Sequence, residues 1–141
     1  MTHEEIVALF DRRTDAFARR DVKALAGMHA AASVVESPMA GGSVTGPAAI
    51  GHLYEAFFKA FPDGTLTTEE LVIDGDRVAQ VATLAGTDSG GFLGLPASGK
   101  PFRVPLLILI TVNDHQIVSE RRIYDFTGLL IQIGVLKAQP G

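Results

Sequence analysis

Apolar positions in the first 31 residues recur at helical spacing, with Ile6, Leu9, Phe10 and Phe17 on one face and Asp11, Arg12, Asp15 and Arg19 mainly on the other. Asp21 is placed to N-cap a second, short helix carrying Leu25 and Met28 on its apolar side and ending before an Ala-rich turn at Ala30 to Ala32. Ser33 to Pro38 reads as a short strand and Met39 to Gly46 as turn. Pro47 suits the first position of a third helix, whose broad stripe of Ile50, Leu53, Tyr54, Phe57, Phe58 and Phe61 is the richest aromatic surface in the chain.

From Leu66 the pattern changes to strands. Leu66 to Ile73, an Asp74-Gly-Asp76 turn and Arg77 to Thr87 form one expected hairpin. Phe102 to Val112 and Gln116 to Tyr124 form a second about Asn113-Asp114-His115. Asp88 to Pro101, with four glycines and two prolines, is the loop between them. Helices first and antiparallel strands last indicate an α+β fold. Val104 to Ile110 is apolar at nearly every position, which predicts cover on both faces, by the helices on one and a second subunit on the other.

Composition narrows the class. A chain of 141 residues fits one domain, 1–141, and buries about two-thirds of its unfolded surface. Hydrophobic residues make up 47%, which argues against disorder, yet there is no uninterrupted run of about 18 apolar residues to span a bilayer. The N-terminus lacks the basic and apolar regions of a secretory signal and cysteine is absent, so a reducing cytoplasm is the expected compartment. A net charge of −4 without a basic cluster argues against nucleic acid or an anionic membrane as partner. The expected partners are an apolar small molecule and a second copy of the chain, meeting through the sheet.

The chemistry-bearing residue that stands out is Asp125, an acid where a long apolar strand region passes into Phe126 to Gly134. As a general acid/base in an apolar cavity it would need burial to bring its basicity toward working pH; the alternative is a helix N-cap for Phe126 to Gln132. If the strand stays regular, Ser119, Arg121 and Ile123 share the face of Asp125, and Glu120, Arg122 and Tyr124 lie on the other. Arg121 would then enter the cavity, unless it is a rim arginine paired with an exposed acid.

Ala60-Phe-Pro-Asp63, Asp74-Gly-Asp-Arg-Val78, the Gly86 to Pro101 loop and Tyr124-Asp-Phe-Thr-Gly-Leu-Leu-Ile-Gln-Ile-Gly134 together resemble SnoaL-like polyketide cyclases of the nuclear transport factor two-like superfamily. The resemblance runs from the first helix to about Gly134 and implies a curved antiparallel sheet around a cone-shaped apolar cavity, closed by N-terminal helices and commonly dimeric through the sheet. It implies an aspartate at the position of Asp125 as acid/base for an intramolecular aldol closure. Relatives often carry an aromatic residue in place of Arg121, a histidine in place of Asp88 and a polar cavity residue, commonly His, in place of Glu36. Asp88 is read either as a second carboxyl beside Asp125 or as turn chemistry, and Glu36 as a cavity group or an edge-strand charge.

Phe57, Phe61 and Ile123 are candidate apolar wall residues, and Tyr54, with Tyr124, is read either as a wall residue donating a hydrogen bond to a ligand oxygen or as a buried tyrosine satisfied by backbone, the commoner case. Phe92, with Leu93 and Leu95, suggests a lid or an intersubunit contact. Among the four histidines, His3, His52 and His115 are expected in solvent and His29 near a helix end; with no His-x-x-x-His or His-x-Glu spacing, no metal is expected. Nor does any glycine pattern suggest a nucleotide cofactor. The leading expectation is a cofactor-free enzyme, a lyase or isomerase, abstracting a proton next to a carbonyl to give cyclisation or isomerisation. Epoxide or ester hydrolysis is a second enzymatic reading, and a non-catalytic ligand-binding or dimerisation module is the alternative from another class.

Overall fold

Thr2 starts the first helix, α1 (His3–Ala18): its hydroxyl accepts from the Glu5 backbone N–H at 3.1 Å while the Glu5 carboxylate accepts from the Thr2 N–H at 2.8 Å. The computed structural model describes residues 1–137, so the last four residues of the expected 1–141 domain lie outside the described residues. Asp21 caps α2 (Val22–Gly27) by accepting from the Ala24 N–H. The chain then enters β1 (His29–Ser37) directly, so Ala30 to Ala32 are strand rather than the turn expected from their composition. A 3₁₀ turn (Pro38–Ala40) leads through Gly41, at φ 66°, into the short strand β2 (Gly42–Thr45), a second element that the turn-rich sequence conceals.

Helix α3 (Pro47–Ala60) begins on Pro47 and is followed by β3 (Thr65–Asp74) and β4 (Arg77–Thr87), antiparallel across a tight turn with Gly75 at φ 60° and with a register shift between Thr68 and Glu70. The third pair, β5 (Pro101–Asn113) and β6 (Gln116–Tyr124), turns on Asp114 and His115, both at positive φ as a two-residue hairpin loop demands. Helix α4 (Phe126–Gln132) ends the described fold. The six strands make one curved sheet in the order β2-β1-β6-β5-β4-β3, antiparallel except where β1 runs parallel to β6.

Along β5, Phe102, Val104, Leu106, Ile108, Ile110 and Val112 are buried and face the helices, while Leu107 and Leu109 on the other face are half-buried and Pro105 is exposed. The expectation of cover on both faces is therefore met on one face only within the single chain. The core joins this strand to Ile6, Leu9, Phe10 and Phe17 of α1 and Ile50, Tyr54 and Phe57 of α3, with Phe61 fully buried just beyond. Phe61 packs edge-on against Phe57 and Phe102 and tilted against Phe92, so the aromatic stripe of α3 also anchors the loop between β4 and β5.

That loop is fixed at its base by two devices. Asp88, 1% exposed, accepts from the Gly91 and Ser98 backbone N–H groups and the Ser98 hydroxyl. Gly90 donates its N–H to the Ala60 carbonyl at 3.0 Å, and a Cβ there would run into the Lys59 carbonyl. Gly90→Ala is therefore expected to destabilise the protein by about 2 kcal/mol or more, since backbone rather than a flexible side chain must yield. Chemical denaturation against the wild type checks this; a loss below about 0.5 kcal/mol, the range of a neutral surface substitution, would show the loop to be loosely held.

Candidate functional site

On β6 the side chains of Ile117, Glu120, Arg122 and Tyr124 turn toward the helices. Residues opposite one another on paired strands share a face, and Glu120, Arg122 and Tyr124 oppose Ile110, Ile108 and Leu106 of the buried face of β5. A register shift between Thr111 and Val112 lets Ile117 stay inside as well. The alternation expected from the sequence is present, but its inward face is the one carrying Glu120, Arg122 and Tyr124.

These groups meet α1. Arg13, 4% exposed, donates one N–H to the Gln80 side-chain oxygen on β4 and another to Glu120 Oε1, both at 2.8 Å. Arg122 donates its Nε–H to Glu120 Oε2, so a single carboxylate with no solvent exposure ties two guanidinium groups together. Gln80 passes the chain of hydrogen bonds on to the Thr68 hydroxyl at 2.8 Å. His29 on β1 hydrogen-bonds through Nδ1 to the Ser33 hydroxyl, while its Nε2 lies 3.8 Å from Glu120 Oε1. Two buried polar atoms among the described residues have no hydrogen-bond partner, His29 Nε2 and Arg122 Nη2.

Burial pushes His29 down to about 4, against the attraction of Glu120, so its ring is neutral at physiological pH. Burial works to raise the Glu120 carboxyl, but Arg122 and Arg13 outweigh it and hold the group at about 2. Both arginines, despite burial, are raised by Glu120 and remain charged. Burial raises the Tyr124 phenol, keeping it a neutral donor. The buried cluster thus holds two positive charges and one negative.

Next to it lies a cavity of about 50 Å³, with Arg13, Arg122, Tyr54 and Tyr124 as its polar groups and Phe17, Met39, Phe57, Leu84 and Ile108 among its apolar walls. The Arg122 guanidinium sits 4.9 Å above the Tyr54 ring, which orients it across the wall. Tyr54 and Phe57, expected at the wall, are there. Phe61 lies behind Phe57 in the core, and Phe92 packs on Phe61 and Phe126 beneath the loop.

The remaining expected site residues are not brought together. Arg121 and Glu36 pair with each other at 3.4 Å on the outer face of the sheet, with side chains 63% and 57% exposed, and Ile123 is exposed beside them. This corrects the placement of Arg121, Glu36 and Ile123 at the cavity: the run Val104 to Ile110 of β5 is apolar on both faces, and only Arg103, Thr111 and Asn113 beyond it mark the outer face. Asp88 is the loop staple described above, which corrects its reading as a second cavity carboxyl. Asp125 is exposed, does not line the cavity, and accepts from the Gly128 N–H at 2.8 Å as the cap of α4. The cavity acid expected there is corrected on the same ground, because the chain leaves the sheet at this residue to start a helix. Arg13, His29, Gln80, Met39 and the inward role of Glu120 and Arg122 were missed. For Arg13 a signal existed, since it falls on the stripe of Ile6, Leu9, Phe10 and Phe17, where a charge is out of place.

A family model described as SnoaL-like polyketide cyclase matches residues 8–133. The chain belongs to the SnoaL-like polyketide cyclase family. No curated protein matches it in sequence. Among solved structures, this SnoaL-like chain is similar to AclR, a candidate hydroxylase from Streptomyces galilaeus, at 26% identity over 99% of this chain and 87% of that one with a TM-score of 0.84. IdmH, a candidate polyketide cyclase from Streptomyces antibioticus, is 27% identical over 91% of this chain and 97% of its own, with a TM-score of 0.77. A SnoaL-like protein from Jannaschia is 26% identical over 97% and 94% of the two chains, with a TM-score of 0.79. Among the described residues of the SnoaL-like chain, no helix is long and apolar enough to cross a membrane.

The buried cluster gives this SnoaL-like domain a defined response to acid. An unfolded His29 takes up a proton near its ordinary value of 6.5 that the folded chain refuses until about 4, so stability falls as pH drops through that window. The depressed Glu120 contributes stability that is present above its ordinary value of 4.5 and is lost as pH falls from there toward about 2. Thermal melting midpoints are expected to decline continuously from about pH 7 to about pH 3, and His29→Gln to flatten only the upper part of the curve. An unchanged slope in that variant would place the proton uptake at another group. Asp125→Ala should cost about 1 kcal/mol, the value of an N-cap, in a denaturation experiment; a loss of several kcal/mol would show more than a cap.

Proposed function

We propose that the chain is a cofactor-free small-molecule enzyme acting next to a carbonyl, in which Arg122 and Tyr124 hold the oxygen of an enolate formed from an apolar 1,3-dicarbonyl compound. The observation that carries this reading is the charge of the buried cluster: two arginines share one carboxylate, and Arg122, which lines the cavity, has no hydrogen-bond partner for its Nη2 among the described residues. An oxyanion set there balances the excess positive charge and satisfies that donor.

The cavity wall carries no free carboxylate or imidazole among its lining residues, since Glu120 is bound to both arginines and His29 lies behind it. That selects substrates whose carbon acid is activated by two carbonyls and gives its proton to water. The carbon so freed attacks a further carbonyl elsewhere in the same molecule in an aldol-type closure, a carbon–carbon bond forms as that carbonyl's π bond opens, and the new alkoxide takes a proton from solvent directly or through Tyr124, which solvent then reprotonates. Isomerisation follows if the proton instead returns to a different carbon. The same lack of a free base favours a second reading, in which the cavity binds such a ligand without turnover.

Acetylacetone tests the oxyanion site, because its enolate absorbs in the ultraviolet where the neutral forms absorb less. A neighbouring cation lowers an acid's pKa by about 1–3 units, so enolate is expected at correspondingly lower pH in the presence of the native protein. Arg122→Met should abolish the shift and Arg122→Lys retain part of it, with circular dichroism confirming that each variant is folded. An equal shift in native protein and Arg122→Met would overturn the assignment. Enolate stabilisation without ring closure of tethered diketones would leave the binding reading in its place.

A further inference from the structure

We propose that the groove between α3 and the 88–100 loop is the outer half of the binding site, so that the ligand is elongated, with its dicarbonyl end at Arg122 and an apolar tail running out past Met39 and Leu53. This rests on the reading of the inner cavity as an oxyanion site. The inner cavity, at about 50 Å³, accommodates the reacting end of such a molecule and little else. The groove measures about 440 Å³ and is walled by Ala56 and Ala60 of α3 and by Phe92, Leu93 and Leu95 of the loop.

The two spaces have Met39 and Leu53 in common, so these side chains form the partition between them. Neither is fixed as a core residue would be: both are half-buried, and Met39 is unbranched, on a single 3₁₀ turn held by the Ser37 hydroxyl and the Gly41 N–H. A thioether chain of this kind rotates aside at little cost.

The loop explains why the groove exists. Its base is stapled by Asp88 and Gly90, and its tip holds Leu93 at φ 55°, a left-handed conformation that a leucine adopts only when the surroundings impose it. The result is that Leu93 and Leu95, 57% and 46% exposed, stand at the groove rather than in the core. Continuity with the inner cavity, through shared walls, identifies the occupant as the tail of the same small molecule.

The chain has no tryptophan, so Leu93→Trp supplies a lone emission reporter at the outer groove. Titration uses acetylacetone and 1,3-diketones in which one methyl is extended to butyl and to octyl. Affinity is expected to rise about fourfold for each methylene that enters the groove, with a blue shift of the new tryptophan for the octyl compound and none for acetylacetone. Leu95→Asp, at an exposed position, should bring the ratio of octyl to acetylacetone affinity, both measured in that variant, back toward one. Enolate stabilisation of acetylacetone with no gain from longer tails and a silent tryptophan would overturn the groove and leave the inner site standing. Tail-dependent binding that is indifferent to Arg122→Met would overturn both, since the molecule would then not reach end to end.

Discussion

Glu120 is the point on which the interior depends. A carboxylate without solvent contact, held by Arg13 from α1 and by Arg122 from its own strand, joins the helix layer to the middle of the sheet. Removing one partner of such a buried pair leaves an uncompensated charge, a loss of about 3–5 kcal/mol in comparable cases. The apolar contacts of α1 bring it to the sheet, but they do not discriminate among small rotations of the helix. The forked geometry of Arg13, reaching Gln80 on β4 and Glu120 on β6 at once, does. One charged cluster therefore both registers the helix and shapes the cavity wall.

The aromatic core performs a separate task. Phe57 of α3, Phe92 of the loop and Phe102 of β5 all pack on Phe61, and the loop is held at its base by Asp88 and Gly90. The polar cluster and the aromatic core meet at the cavity, where Tyr54 carries Arg122 over its ring and Phe57 forms a neighbouring part of the wall. Space opens there because rigid rings on one side and ion-paired groups on the other cannot relax to fill it.

Much of the fold was legible because helix and strand periods are local. The caps at Asp21, the start at Pro47 and both hairpins follow from residues within a few positions of one another. Strand β2 was not, since its partner in β1 is specified by pairing that no local pattern records. Family membership was legible through the run of motifs from Ala60 onward and is shown by the match over residues 8–133. The inward face of β6 was misread for a physical reason: the run Val104 to Ile110 in its neighbour β5 is apolar on both faces, and the alternation shows only at Arg103, Thr111 and Asn113 beyond it. The deciding information lies in α1, where Arg13 sits in an apolar stripe, and a buried arginine requires a carboxylate opposite it. The one acid on β6, Glu120, shares a face with the inward residues of β5.

A second arginine is harder to justify on structural grounds. Arg13 and Glu120 alone form a neutral, hydrogen-bonded pair that would register α1 against the sheet. Arg122 adds a further desolvated charge, leaves one of its donors unpaired, and places the excess beside a cavity rather than in solvent. An apolar residue in its place would bury more hydrocarbon and remove the excess positive charge, while leaving Glu120 Oε2 without its Arg122 donor. What the extra charge supplies is a preorganised positive field at the wall of a largely apolar space, present before any ligand arrives. An anionic oxygen is the chemical species for which such a field is complementary, and in its absence the same field is a cost to the fold.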